Sequence, residues 1–306
     1  MTRLVTYSTG NGARLGSVRD GMILDLALAA DHQRFENTGW TKDSLAFLEA
    51  GDEACEQLRA LTASIKALGD DAARKAGLLV AEADVQVLPP IQKPPKILCV
   101  GRNYGKHAAE AGRPISEIPI IFSRFAKTLV EQGGNVVVPT VSEQLDWEGE
   151  LAVIIGKAGR HVRRADAMDY VAGYSIFNDV TVRDYQFRIT QYTAGKNFSR
   201  SGPFGPYLVL TDEVADPHNL DIKTRLNGEI VQDGNTEEML FDIPAIIEHL
   251  SEFIELEPGD VIPMGTPAGV GFTRTPPRFL RSGDIISVEV EGLGTLTNPV
   301  INEADA

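Results

Sequence analysis

The chain has little cysteine, a deficit of positive charge and no long apolar run. Of its 306 residues only two are cysteines, Cys55 and Cys99. Two isolated thiols build neither a disulfide framework nor a thiolate metal site, so a reducing compartment is expected. Lys and Arg number 29 against 43 Asp and Glu, a formal net charge of -14. That balance argues against a nucleic-acid-binding surface, which needs clustered positive charge. No apolar stretch approaches the roughly 20 residues that span a bilayer. The first residues lack the apolar core of a signal peptide, and a cytoplasmic protein with no membrane partner is expected. Repeats and low-complexity tracts are also missing. What remains is 43% hydrophobic and 24% charged, an ordinary globular composition, with length enough for a large core and two unequal domains.

Residues 1–27 alternate short apolar runs with turns at Thr9-Gly10-Asn11-Gly12 and Arg19-Asp20-Gly21, a pattern of antiparallel strands. From Thr41 to Leu68 the apolar spacing becomes three and four, predicting a helix that stops at Gly69. Four prolines within residues 89–95 predict a stiff extended connector. The division follows: 1–88 a small N-terminal α+β accessory domain, 89–95 a linker, 96–306 a β-rich catalytic domain. Beyond Pro119 short strands dominate, with an Asn227-Gly228 hairpin signal. Helices are expected only near 165–171 and 243–253 there, which favours a barrel-like or folded mixed sheet over an alternating α/β fold.

Chemistry concentrates in Asp146-Trp147-Glu148-Gly149-Glu150, which opens the apolar run Leu151 to Ile155. Side chains at i and i+2 of a strand share a face, so Glu148 and Glu150 project together. Adjacent carboxylates at an apolar strand repel unless a positive group sits between them, and a hard divalent cation is the usual one. Asp179, at the end of a second apolar run, offers a third acid. The competing reading is a solvated strand edge. Separately, His107 and Glu110 stand at i and i+3, one face of a short helix. A carboxylate that fixes a histidine tautomer is a recurring general-base arrangement. An ordinary surface pair is the alternative.

Five blocks together carry a resemblance: Val100-Gly101-Arg102-Asn103-Tyr104 with His107 and Glu110; Glu148-Gly149-Glu150; Asn178-Asp179-Val180-Thr181-Val182-Arg183-Asp184; Gly195-Lys196-Asn197-Phe198; and Met264-Gly265-Thr266-Pro267. In this order, over residues 96–302, the chain resembles the fumarylacetoacetate hydrolase superfamily. It resembles most the acylpyruvase-like and 2-hydroxyhepta-2,4-diene-1,7-dioate isomerase-like branch, since residues 100–104 ahead of His107 contain no acid and Glu110 is a local partner. The resemblance implies an α+β, β-rich mixed β-roll that forms a homodimer. It also implies Mg²⁺ or Mn²⁺, with Ca²⁺ as a crystallographic substitute, held by Glu148, Glu150 and Asp179. It makes His107, Glu110 and Lys196 catalytic, and Arg102, Tyr104, Arg183, Gln186 and Thr266 contacts of a small 2-oxo or diketo acid. Asp184 reads as a structural partner.

The leading expectation is a metal-dependent hydrolase of aromatic catabolism. His107 would activate water to cleave a C–C bond in a 1,3-diketo acid of acylpyruvate or fumarylpyruvate type, through a metal-stabilised enolate. The alternative uses the same enolate without water attack: an isomerase or tautomerase, decarboxylase or hydro-lyase on oxaloacetate or a 2-hydroxymuconate-type diacid. A non-catalytic calcium-stabilised protein is disfavoured because His107, Glu110 and Lys196 are all present. The Gly-flanked segment 105–116 has the composition of a lid.

Overall fold

The computed structural model of the protein describes residues 3–10 and 12–306. Asn11, in the first expected turn, lies outside the described residues. The chain is α+β and β-rich. One mixed sheet runs Val261–Pro263, Gly149–Ile155, Val171–Asn178, Gly202–Leu210, Arg3–Ser8, Ala13–Arg19, Met22–Asp25, Leu79–Ala81. A five-stranded sheet lies over it, in the order Glu229–Asn235, Asp221–Leu226, Ile285–Val290, Gly294–Asn302, Val136–Val138.

Strand Gly149–Ile155 is buried along its whole length, and its alternation sorts it between two cores. Leu151, Val153 and Ile155 pack with Ile222, Val288 and Leu296 of the second sheet. Ala152 and Ile154 face the other way, onto Phe177, Phe204 and Cys99. By the same period of two, Glu150 is on the Ala152 side. Helix Ile243–Phe253 covers the second core, capped by the Asp242 side chain on Ala245 N.

Four features differ from the sequence reading. The N-terminal strands are not a separate sheet, since Arg3 and Leu4 pair with Val209 and Leu208 of Gly202–Leu210. The proline-rich connector is docked: Pro89, Pro90, Ile91 and Pro94 are buried, and Thr6 Oγ1 donates to Pro90 O at 2.8 Å. The long helix starts at Ser44, capped by Asp43, and leaves helical geometry at Gly51 (φ 57°, ψ -133°) before ending at Leu68. The helix expected at 165–171 is a 3-10 segment, Arg164–Tyr170. Leu26–His32 and Asp70–Lys75 are short helices that offered too few turns for a periodic signal.

Phe204 is fully buried where the two parts of the large sheet share one core, with its ring 5.8 Å from that of Phe177. Phe204→Ala should cost about 3–5 kcal/mol in chemical denaturation. The division at 89–95 is a proposal that the same experiment tests. A shared core predicts one transition followed equally by Trp40 and Trp147 fluorescence, whereas independent units would give two.

Candidate active site

The acids meet because of strand register. Gly149 lies opposite Asn178 and Glu150 opposite Phe177, so the next residue, Asp179, falls beside Glu148. Two bonds fix the crossing: Asp179 N donates to Glu148 O at 2.8 Å, and Glu148 N donates to Asn178 Oδ1 at 3.0 Å. One oxygen from each of Glu148, Glu150 and Asp179 lies within 4.8 Å of the others, and all three residues are buried.

Buried like charges of this kind need counter-charge. Lys196, on the short turn Thr193–Lys196, donates to Glu148 Oε2 at 2.8 Å and Asp179 Oδ2 at 2.6 Å. Its position depends on Gly195, where a Cβ would come within 2.6 Å of the Gln186 backbone. Arg124 pairs with the other oxygen of Asp179. Arg183 joins Glu148 Oε1 at 2.6 Å to Asp146 Oδ2 at 2.8 Å. Burial raises the Glu148 pKa, but Lys196 and Arg183 outweigh it and carry that carboxyl down to about 2. Burial also opposes the Lys196 ammonium, and Asp179 and Glu148 more than offset it, so its pKa is raised.

Glu150 is the exception. Burial first, then the charges of Asp179 and Glu148, push its pKa well up. Gly265 N donates to Glu150 Oε2 at 2.9 Å from a backbone at φ 91°, a conformation that suits glycine. No described residue gives Glu150 Oε1 a hydrogen bond. Three convergent carboxylates, one of them under-compensated, fit a hard divalent cation.

His107 and Glu110 fall on one face of helix Gly105–Glu110, with His107 Nδ1 2.9 Å from Glu110 Oε1. Gly269 N also donates to Glu110 Oε2 at 2.9 Å. This anchors the first half of the expected lid to the Gly-rich turn. A cavity of about 120 Å³ is walled on its acid side by His107, Glu148, Glu150, Arg183, Gln186 and Lys196. Arg102 and Thr266 line it too. Thr266 already donates its proton to Gly149 O (2.9 Å), so its hydroxyl accepts rather than donates. Tyr104 is fully buried and outside the lining, and its hydroxyl has no partner. That corrects its expected substrate contact. Asp184 accepts from Ser142 Oγ, as a structural partner would.

Sequence reasoning missed Arg124, Arg113 and the aromatic wall of Phe122, Phe187, Tyr192 and Phe272. Asp146 opens the Asp146-Trp147-Glu148-Gly149-Glu150 stretch, but its role as an anchor has no sequence signal. The Asp146 carboxylate accepts from the backbone of Trp147, Gly271 and Phe272 as well as from Arg183. The bonds to Arg183, Gly271 and Phe272 span 37 residues or more and leave no local pattern.

Residues 96–301 match the family model described as fumarylacetoacetate (FAA) hydrolase C-terminal. The chain belongs to this family. A human protein named oxaloacetate tautomerase FAHD2A, mitochondrial, is 44% identical over 263 residues, covering 85% of this chain and 80% of its own length. The crystal structure of 2-hydroxyhepta-2,4-diene-1,7-dioate isomerase from Mycobacterium marinum superposes with a TM-score of 0.73 at 30% identity, covering 99% of each chain. Maleylpyruvate hydrolase from Sphingobium sp. SYK-6, solved with manganese(II) ion and pyruvate, gives 0.74 at 29%, covering 98% of this chain and 99% of that one. The family member is an enzyme, and its buried acid triad has the composition of a divalent-metal site.

These relatives overturn the leading expectation. The C–C hydrolase gives way to the alternative, because curated relatives at this identity are named tautomerases. The expectation of aromatic catabolism falls with it. The residues up to the enolate are common to both reactions, so the motifs could not separate them. The relatives are also named mitochondrial, against the cytoplasmic expectation. Among the described residues no helix is long and apolar enough to cross a membrane.

Glu150→Gln should have opposite effects on folding and on binding. Its raised pKa means that above the ordinary carboxylate range the ionised form opposes folding, so at pH 7 the metal-free variant should melt higher than the wild type. Mn²⁺ affinity should fall at least about tenfold, because a charged oxygen ligand is lost. A variant that melts lower and binds Mn²⁺ as before would contradict this account of Glu150.

Proposed function

We propose that the protein interconverts the enol and keto forms of an oxaloacetate-type 2-oxo acid. The observation that carries this reading is that His107, with Nδ1 already engaged by Glu110, lines the same small cavity as Glu148, Glu150 and Lys196. The choice of tautomerisation over C–C cleavage is supported by the names of relatives 40–44% identical to the chain.

The chemistry needs a proton moved between C3 and the 2-oxo oxygen with no net bond to water. Glu110, held by Gly269, orients the His107 ring and leaves Nε2 to take the proton at one atom and return it at the other. Glu148, Glu150 and Asp179 would hold a divalent cation, which when bound supplies Lewis-acid polarisation of a 2-oxo oxygen and stabilises enolate charge. Lys196 keeps an ammonium beside that charge. Arg183 offers the substrate a carboxylate contact: its Nη2 is buried with no hydrogen-bond partner, although Nε and Nη1 are committed to Asp146, Glu148 and Gln186. With Glu150 ionised, the state in which it would hold a cation, four buried carboxylates against three buried cations leave the inner site one negative charge in excess. A divalent cation reverses that sign and so favours an anionic acid. Phe122 and Phe272 narrow the cavity on its apolar side, which limits water at the reacting carbons.

The test starts from the oxaloacetate enol in Mg²⁺ and follows its ultraviolet absorbance to the keto form. Wild type should accelerate the decay, and His107→Ala should lower kcat by about 10²–10⁴. Deuterium oxide should label C3 while the four-carbon skeleton stays intact. Stoichiometric CO₂ or pyruvate, with no acceleration of enol decay, would overturn the reading.

A further inference from the structure

We propose that Arg102 and Arg113 form a receptor for a second, distal carboxylate, so that the site selects 2-oxo dicarboxylic acids over 2-oxo monoacids. The proposal rests on the tautomerase reading for which end of the substrate lies at the acid cluster. The cations beside the acid cluster are each bonded to its carboxylates, with Arg183 Nη2 left without a partner. Arg124, Arg183 and Lys196 each contact at least one buried carboxylate at 2.8 Å or less. Arg102 and Arg113 line the same cavity, and neither is ion-paired among the described residues. In a chain with 43 acids to 29 bases, two unpaired guanidinium groups at one cavity call for an anion from outside.

Their surroundings place them together and apart from the floor. Arg102 follows strand Leu98–Gly101 at φ 54°, a left-handed conformation that side chains rarely adopt. Its Nε is buried without a hydrogen-bond partner, and its one recorded side-chain bond is a long 3.4 Å contact to Pro114 O. Pro114 is the residue after Arg113, so that contact brings the two arginines onto one side of the cavity. The Arg113 guanidinium lies 5.8 Å from the Phe187 ring centroid. Phe187 meets Phe272 edge-on at 5.3 Å, and Phe272 lies 4.4 Å from the Arg183 guanidinium. Two receptors for carboxylate are therefore held at the two ends of an aromatic pair: the free Nη2 of Arg183 at the floor and the Arg102–Arg113 pair at the mouth. A dicarboxylate satisfies both ends. A monoacid leaves the outer pair unused, and a site built to bond a group discriminates against the analogue that lacks it.

The test compares oxaloacetate with 2-oxobutanoate, in which a methyl group replaces the distal carboxylate, reading enzyme-dependent proton–deuterium exchange at C3 in Mg²⁺. In Arg113→Ala and in Arg102→Ala, kcat/KM for oxaloacetate should fall about 10–100-fold further than for 2-oxobutanoate, mostly through KM. Arg113→Lys, which keeps the charge, should recover part of the loss. Equal losses for both substrates would make the arginines structural, and no loss for either would send the distal carboxylate elsewhere. Each of those results overturns the proposal. Titration of the same proteins with malate and lactate, which differ only in the distal carboxylate, separates the two readings. If the wild type catalyses no exchange, the tautomerase reading fails. The receptor then stands only if Arg113→Ala weakens malate and not lactate.

Discussion

Four carboxylates packed out of water set the terms for everything else in this protein. Asp146, Glu148, Glu150 and Asp179 are each 6% exposed or less. Unpaired ions in such a position would cost several kcal/mol apiece, and the fold answers with position rather than with solvent. Arg124 comes from beyond strand Ile120–Ser123, Arg183 from just after Thr181–Val182, and Lys196 from the turn packed on Gln186. Backbone N–H groups of Trp147, Gly271 and Phe272 complete Asp146, and that of Gly265 bonds Glu150. The Gly-rich turn at 265–271 is therefore tied to the carboxylates at both ends. Through Gly269 and Glu110 the same turn holds His107. His107, the acids and the wall of the cavity are one bonded assembly.

That unity explains why residue types alone favoured the wrong reaction. A histidine fixed by a carboxylate can take a proton from water or exchange one with a carbon, and the metal-ligand chemistry that stabilises an enolate is common to both. What separates cleavage from tautomerisation is whether a water is positioned against a distal carbonyl. No motif records that position. At the outer end of the cavity Arg102 stands in the first motif block, whereas Arg113 and Phe187 beside it are marked by no local pattern.

Much of the inner site was legible because it follows short periods. Glu148 and Glu150 share a face at i and i+2, and His107 and Glu110 share one at i and i+3. Asp179 and Lys196 stand in blocks that the resemblance named. Arg124 was not legible: it meets Asp179 across 55 residues of sequence, with nothing local to point there. The sharing of one sheet by Arg3–Ser8 and Gly202–Leu210 was hidden for the same reason. Strand propensity shows in each run, but their pairing register is non-local. Thr266 illustrates a finer loss. The sequence supplies a hydroxyl at the right turn, and only the structure shows its proton already given to Gly149 O.

The central claim is that Glu148, Glu150 and Asp179, neutralised in part by Arg124, Arg183 and Lys196, hold one divalent cation at the floor of the cavity. Anomalous scattering from a crystal of the protein soaked in Mn²⁺ tests it directly. The account predicts a single strong peak per chain bounded by those three carboxylates, with Lys196 still beside Glu148 or Asp179. A peak elsewhere, or none at saturating Mn²⁺, would contradict it.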